Sequence, residues 1–156
     1  LIQSDDVETF AEKPEMEAKK ITNRVLTYLQ EDTYNFICLN FPNPDMLAHT
    51  ADIEATKKSV SIVDKKVKQI VETVIDKGGT AVVTVDHGNA EEMLTSSGDP
   101  KTEHSSNPVP FIVIDENKKD LSLSQGKLAD VAPTTLDLMG LDRPKEMTGN
   151  VLYNQT

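Results

Sequence analysis

The sequence has a single cysteine, no excess of basic residues and no long apolar run, and each of these absences excludes a class of protein. Cys38 is the only cysteine among 156 residues, so no intramolecular disulfide can form. Its position in an apolar run predicts a buried free thiol, which is typical of a reducing compartment. No apolar run approaches the roughly 20 residues needed to span a bilayer, and no signal-peptide pattern is present. These absences favour a protein of the cytoplasm.

The charge balance argues against a surface for nucleic acid or anionic membrane. Sixteen Lys and Arg residues face 26 Asp and Glu residues, a formal net charge of -10, whereas both partners require a basic footprint. The remaining composition, 37% hydrophobic and 27% charged, is that of a globular domain. The chain begins at Leu1 rather than at a methionine, and we interpret residues 1–156 as one domain's portion of a longer protein.

Apolar periodicity predicts helices that alternate with short strands. The predicted helices cover residues 15–31, 53–77 and 128–138, and the predicted strands cover residues 35–41, 81–85 and 109–114. In the second helix the apolar face comprises Val60, Val63, Val67, Ile70, Val71 and Val74. This order predicts an α/β fold with a mainly parallel sheet flanked by helices.

Three loop features complete the pattern. A short strand is expected near Val7 and Phe10. The run from Pro42 to Asp45 is expected to form a turn because of its two prolines. Residues 96–100 are expected to form the tip of a small hairpin.

The strand predicted over residues 81–85 ends at Asp86 and His87, followed by Gly88. In open α/β sheets, ligands collect at the carboxyl ends of the strands, and a glycine there lets the backbone turn sharply. A carboxylate beside an imidazole at this position is suited to hold a metal ion. The alternative is that Asp86 caps the next element and His87 is an ordinary turn residue.

The other two histidines also lie next to predicted strand ends. His49 follows the 35–41 strand, four residues after Asp45, and His104 precedes the 109–114 strand. Asp45 and His49 share the edge with Asp86 and His87 if the first two strands are parallel neighbours. His104 joins them only if its strand is antiparallel or its loop folds back. A site of imidazoles and carboxylates suits Zn²⁺ or Mn²⁺. Five ligands exceed what one closed structural site uses, which predicts two ions, one of them incompletely ligated in this chain.

Other polar residues are weaker candidates. Glu91 and Glu92 form a pair suited to acid–base chemistry, but such a pair is more often simply solvated. Ser105 and Ser106 offer a hydroxyl nucleophile without a recognisable orienting base. Asp130 is predicted to cap the last helix.

Five ordered motifs resemble those of the cofactor-independent phosphoglycerate mutases, which belong to the alkaline phosphatase superfamily. They are Lys13-Pro14-Glu15-Met16, Asn43-Pro44-Asp45-Met46-Leu47-Ala48-His49-Thr50, Asp86-His87-Gly88-Asn89-Ala90-Glu91-Glu92, His104-Ser105-Ser106-Asn107-Pro108-Val109-Pro110, and Asp130-Val131-Ala132-Pro133-Thr134 with Pro144-Lys145-Glu146-Met147-Thr148-Gly149.

The resemblance implies an alkaline-phosphatase-like α/β fold that is incomplete in this chain, and a site for two divalent ions. Manganese is the usual ion, with zinc, cobalt or magnesium as alternatives. The resemblance assigns Asp45, His49 and His104 to one ion, and Asp86 and His87 to the second. It implies interconversion of 3-phosphoglycerate and 2-phosphoglycerate in glycolysis through a phosphoserine.

The resemblance covers only the C-terminal part of such an enzyme. The nucleophilic serine, a neighbouring aspartate ligand and the substrate-binding arginines fall in an N-terminal portion, so this chain contains no catalytic nucleophile and we expect it to be inactive alone. The family commonly carries a Lys near the start, where the run Ser4-Asp5-Asp6-Val7 has Asp6; either the alignment is offset there, or an acid stands in place of the cation. Two alternatives remain open: another phosphomutase or phosphodiesterase of the superfamily, or a noncatalytic metal-binding or assembly fragment that needs a partner.

Overall fold

The computed structural model describes residues 2–4 and 6–153. Within these residues, four α-helices and two β-strands follow one another as α1 (Ala18–Gln30), α2 (Asn43–Ala48), α3 (Ile53–Asp76), β1 (Ala81–Thr84), β2 (Phe111–Ile114) and α4 (Val131–Leu138). Short 3₁₀-helices cover Phe10–Glu12 and Leu128–Asp130. Asp5 of the Ser4–Val7 run and the last residues of the tail lie outside the described residues.

The long helix α3 begins and ends where its sequence specifies. The side chain of Asp52 accepts a hydrogen bond of 2.9 Å from the backbone N–H of Ala55, which satisfies one of the free amides at the helix start. After Asp76 the chain turns at Gly78, whose φ of +74° lies in the left-handed region that favours glycine. The predicted helix is therefore confirmed to within one residue.

Helix α3 has α1 and α2 as its main neighbours. The buried apolar side chains are Ala18, Val25, Leu47, Ala48, Ala55, Ile70, Met93 and Leu152. Only Ile70 of the predicted apolar face of α3 is among them, and Val60 is exposed. In the first half of α3 the buried residues are the small Ala55, Thr56 and Ser59.

The sheet of the described residues has two strands, β1 and β2, in antiparallel register with Val83 opposite Ile112 and Thr84 opposite Phe111. The α/β class is confirmed, while the parallel pairing expected between residues 35–41 and 81–85 is not formed. The 109–114 strand is antiparallel, which is one of the two arrangements that were expected to bring His104 to the other candidate ligands. Because β1 has a single neighbour, its residues are only partly buried.

The 35–41 segment forms no strand, so the prediction of a strand there was wrong for this chain. Phe36 and Leu39 are exposed, and Cys38, expected to be buried, is exposed as well. The apolar run has the composition of a strand, but a strand forms only when a neighbour accepts its backbone hydrogen bonds. Among residues 2–4 and 6–153 no such neighbour lies beside it.

Two further local predictions differ from the structure. Pro42 to Asp45 begins helix α2 instead of forming a turn, because Pro44 lies in the first helical turn, where its missing N–H costs nothing. Phe10 lies in a 3₁₀-helix rather than a strand. The hairpin tip at residues 96–100 is confirmed: Leu94 pairs with Pro100, and Gly98 has a φ of +88°.

No described helix combines the length and the apolar character that crossing a bilayer requires.

Candidate metal centre

Helix α2 carries the first two candidate ligands on one face. Asp45 lies in its first turn and His49 follows its last residue, a spacing of four residues that places both side chains together. Asn43 anchors the start of this helix: it is fully buried, and its Nδ2 donates to the carbonyl oxygens of Pro14 (3.0 Å) and Glu15 (2.9 Å). The motifs at residues 13–16 and 43–50 are therefore joined physically.

The antiparallel pair brings the other two histidines to the same place. His87 lies in the turn after β1, and His104 lies in the loop before β2. Since the end of one antiparallel strand lies beside the start of the next, these two loops meet. The backbone N–H of Ser105 donates to the carbonyl oxygen of Gly88 at 2.8 Å, which holds the loops together one residue beyond each histidine.

Four of the five predicted ligands converge. Oδ1 of Asp45 lies 3.3 Å from Nε2 of His49 and 3.3 Å from Nε2 of His104, and the two nitrogens are 3.2 Å apart. The ring of His87 stacks on that of His104 with 3.7 Å between centroids. One ligand atom from each of Asp45, His87 and His104 lies within 4.8 Å of the other two.

Asp86 stands apart from this cluster. Its side chain is 87% exposed, and its Oδ1 lies 3.7 Å from Nε2 of His87. The structure thus places Asp86 beside one predicted ligand, at the rim of the cluster. The resemblance assigns His104 and His87 to different ions. In this chain the two ligand groups touch, because the rings of His87 and His104 are stacked.

Two observations on the described residues indicate that the cluster fits a divalent ion. Two ligand atoms about 2.1 Å from one ion lie about 3.0 Å apart at octahedral and about 3.4 Å apart at tetrahedral angles, and the three separations among Asp45, His49 and His104 are 3.2–3.3 Å. In addition, Nδ1 of His87 is buried without a hydrogen-bond partner, and a buried polar atom of this kind usually has one.

Asn89 is a site residue that the sequence analysis did not single out. It is 4% exposed, and its Nδ2 donates to Oδ1 of Asp45 at 2.7 Å and lies 3.5 Å from Nε2 of His49. Its own Oδ1 is buried without a partner. An asparagine in a polar loop carries no pattern that distinguishes it from a turn residue, so only the structure reveals this contact.

The acidic pair after the turn forms hydrogen bonds, contrary to the expectation that it is simply solvated. A hydrogen bond from the Ser105 hydroxyl lowers the pKa of Glu91 to about 2. Lys101, with Nζ 2.8 Å from Oε1, lowers the pKa of Glu92 through a hydrogen bond and its charge. Both side chains also accept hydrogen bonds from Asn107. The hydroxyl of Ser105 donates to the Glu91 carboxylate, and no contact with a general base among the described residues indicates that it is a nucleophile.

The last two motifs have a structural role. Asp130 is buried and accepts hydrogen bonds from the backbone N–H groups of Lys127 and Asn150, both at 2.8 Å, and these bonds lower its pKa. The prediction that Asp130 caps the last helix was wrong in detail: it precedes α4 without a side-chain cap hydrogen bond to that helix. Its carboxylate instead closes the start of the 3₁₀-helix through Lys127 and holds the C-terminal segment through Asn150.

Comparisons with known proteins agree with the geometry. The family model described as the metalloenzyme superfamily matches residues 1–143. A 2,3-bisphosphoglycerate-independent phosphoglycerate mutase of Clostridium botulinum (strain ATCC 19397 / Type A) is 51% identical over 153 residues, which are 97% of this chain and 30% of that protein. The corresponding protein of Clostridioides difficile (strain 630) is 47% identical over 157 residues, 99% of this chain and 31% of the relative.

A solved structure has the same fold. Leishmania mexicana phosphoglycerate mutase, crystallised at low cobalt concentration, superimposes with a TM-score of 0.88 at 30% identity, over 99% of this chain and 31% of that one. The resemblance inferred from the motifs is confirmed. The chain spans about a third of the length of the relatives that it matches.

Proposed function

The chain belongs to the metalloenzyme superfamily, and from that premise we propose that it supplies the metal-binding part of a phosphoglycerate mutase. The observation that carries this proposal is the convergence of Asp45, His49, His87 and His104 from three separate parts of the chain. The proposed reaction is the interconversion of 3-phosphoglycerate and 2-phosphoglycerate in glycolysis, in the cytoplasm.

We assign Asp45, His49 and His104 to one divalent ion, and His87 with Asp86 to a second. The donor set of imidazoles with few carboxylates favours manganese, cobalt or zinc over calcium. Bound ions in such a site neutralise phosphoryl charge and lower the pKa of a coordinated hydroxyl. Support comes from the relative solved at low cobalt concentration.

The residues of this chain act by holding and orienting donors. Asn89 donates to Oδ1 of Asp45 and so fixes which carboxylate lone pairs face the histidines. Hydrogen bonds of this kind commonly orient metal ligands. The buried Nδ1 of His87 leaves one ring nitrogen free of competing hydrogen bonds. His104 contacts Asp45, His49 and His87, and these contacts support a position for it next to both proposed ligand groups.

The nucleophile and the substrate-binding arginines are proposed to lie in a further polypeptide portion, because the sequence motifs of this chain include neither. The phosphoserine intermediate would form on that portion, and this chain alone is expected to be inactive. The exposed apolar residues Phe36, Leu39, Val85 and Ile112 are consistent with a surface that such a portion covers.

Calorimetric titration with Mn²⁺ tests the metal proposal directly. The wild-type chain is expected to bind. His49→Ala and His104→Ala are expected to lose more affinity than the roughly 10–100-fold that removal of an outer-shell partner costs. Glu54→Gln, at an exposed position of α3, is the matched control and is expected to bind as the wild type does. A folded wild-type chain that does not bind would contradict the assignment.

A chimaera tests the activity. The matching third of the Clostridium botulinum relative is replaced with this chain, and mutase turnover is measured with 3-phosphoglycerate. The chimaera is expected to be active and its His104→Ala variant inactive. A chimaera that binds Mn²⁺ but fails to isomerise 3-phosphoglycerate would favour a noncatalytic fragment or another reaction of the superfamily.

A further inference from the structure

The carboxylate of Glu91 connects the two loops that carry His87 and His104. Its Oε2 accepts the backbone N–H of Asn89 at 2.7 Å, and its Oε1 accepts the hydroxyl of Ser105. Oε1 also accepts Nδ2 of Asn107 at 3.0 Å. One side chain therefore binds Asn89, which follows His87 by two positions, and also Ser105 and Asn107, which follow His104.

The neighbouring Glu92 makes a different set of contacts. Its Oε2 accepts from Nδ2 of Asn107 at 3.1 Å, and its Oε1 pairs with Nζ of Lys101 at 2.8 Å. Within the hydrogen bonds of the described residues its carboxylate reaches neither Asn89 nor Ser105, although its backbone N–H donates to the carbonyl oxygen of Asn89 at 3.1 Å. The two adjacent glutamates thus differ in that only the carboxylate of Glu91 binds residues of both loops.

Glu91 also connects indirectly to the carboxylate in the cluster. Asn89, whose backbone N–H Glu91 accepts, donates through its side chain to Oδ1 of Asp45. Because hydrogen bonds to an ionised carboxylate are roughly twice as strong as neutral ones, three donors on one glutamate form a rigid link between Asp45, the turn at Gly88 and the loop at Ser105.

We propose that Glu91 is a positioning residue that fixes the loop of residues 86–89 against the loop of residues 104–107, and thereby sets the separation of His87 and His104. Glu91 itself is not a ligand in this proposal. Only the metal-affinity measurement described below rests on the proposed function, since the first measurement compares the positions of the two rings and involves no ion.

The first test uses the metal-free chain. The ring-proton NMR signals of His87 and His104 are assigned with the corresponding alanine variants, because the stacked rings shift each other's signals. In Glu91→Gln, which keeps the volume but replaces an acceptor oxygen with an amide, both signals are expected to move toward their unfolded positions. His49 lies on α2 and is expected to move less. Unchanged His87 and His104 signals in a folded variant would overturn the proposal.

The second test measures Mn²⁺ affinity by calorimetry for the same variants. Glu91→Gln is expected to bind about 10–100-fold more weakly, the usual cost of losing an outer-shell partner, while Glu92→Gln, with the same change of charge one residue away, is expected to lose less. Equal losses in the two variants would indicate a general charge effect and overturn the positioning role.

The outcomes separate this proposal from the proposed function. If the wild-type chain folds but does not bind Mn²⁺, the metal assignment fails, and the NMR comparison still decides the role of Glu91. If Glu91→Gln does not fold, Ser105→Ala takes its place in the test. It removes only one of the three donors and is expected to shift the His104 signal in the same direction. A folded Ser105→Ala chain with unchanged signals would then overturn the proposal.

Discussion

The imidazole rings of His87 and His104 are stacked, with an interplanar angle of 17° and 3.7 Å between their centroids. The contact follows from the register of the sheet. Thr84 at the end of β1 lies opposite Phe111 at the start of β2, so the segments that continue beyond both strands leave the sheet at the same edge. Two histidines with no local relationship in the sequence therefore become neighbours because antiparallel pairing brings their loops to one edge of the sheet.

Gly88→Ala is expected to destabilise the chain and to separate the two histidine loops. A Cβ at this position would overlap Oγ of Ser105 and Oε1 of Glu91, and overpacking of this kind costs about 1–3 kcal/mol. Gly88 is not among the residues with positive φ, so space rather than a special backbone angle requires glycine here. Urea unfolding and Mn²⁺ calorimetry measure the two effects.

Gly98→Ala is the control for that substitution. Gly98 has a φ of +88° with open space around it, so alanine there costs roughly 1–2 kcal/mol of backbone strain without touching the histidine loops. Its Mn²⁺ affinity is expected to match that of the wild type. A similar loss of affinity in both variants would mean that stability, and not loop contact, controls binding.

The stability that Glu91 contributes is expected to disappear in acid. The hydrogen bond from Ser105 lowers the pKa of Glu91 from 4.5 to about 2. A carboxyl group with a depressed pKa in the folded state stabilises the fold above its unfolded pKa, and this contribution is lost as pH falls through the folded value. The wild type is thus expected to exceed Glu91→Gln in melting temperature at pH 7, with the difference shrinking between pH 4.5 and pH 2. A difference that is constant with pH would contradict this.

Asn43→Ala is expected to lower the free energy of unfolding by about 2 kcal/mol, because it removes the Asn43 donor from the buried carbonyl oxygen of Pro14 and one of two donors from that of Glu15. Asn23→Ala, at an exposed position of α1, is the matched control and is expected to change stability by no more than about 0.5 kcal/mol. Chemical denaturation compares the two. Equal effects would show that Asn43 does not anchor α2.

Phe36→Ser is expected to reduce self-association without loss of stability. Phe36 is 57% exposed, and an exposed apolar segment favours association. Sedimentation velocity at increasing concentration measures the effect. Leu47→Ala, at a fully buried position, is the contrast and is expected to cost about 2–5 kcal/mol. Unchanged association in Phe36→Ser would show that the 35–41 segment is not the contact surface.

The sequence predicted those elements whose causes are local. Helix α3 carries its own cap at Asp52 and its own stop at Gly78, and β1 is a run of β-branched residues between glycines, so both were predicted nearly to the residue. The segment at residues 35–41 has an equally clear apolar pattern. Its strand depends on a neighbour that a local pattern cannot supply, and the prediction was wrong for that reason.

Of the candidate site, the ligand residues were predicted from the sequence and the residues that hold them were not. Histidine and aspartate at strand ends are visible in the sequence, and the structure brings Asp45, His49, His87 and His104 together. The roles of Asn89 and Glu91 were not predictable, because each depends on residues far away in the chain: Asn89 reaches Asp45 across 44 positions, and Glu91 reaches Ser105 across 14.

The long sequence separations in the cluster have a consequence for the order of folding. His49 and His104 are 55 residues apart, and their side chains meet only when α2, the turn after β1 and the loop before β2 are all in place. Closing so long a loop is entropically costly and is expected late, after the transition state. Interactions formed that late slow unfolding rather than accelerate folding, so an ion captured by these histidines would lengthen the lifetime of the native chain and leave its folding rate unchanged.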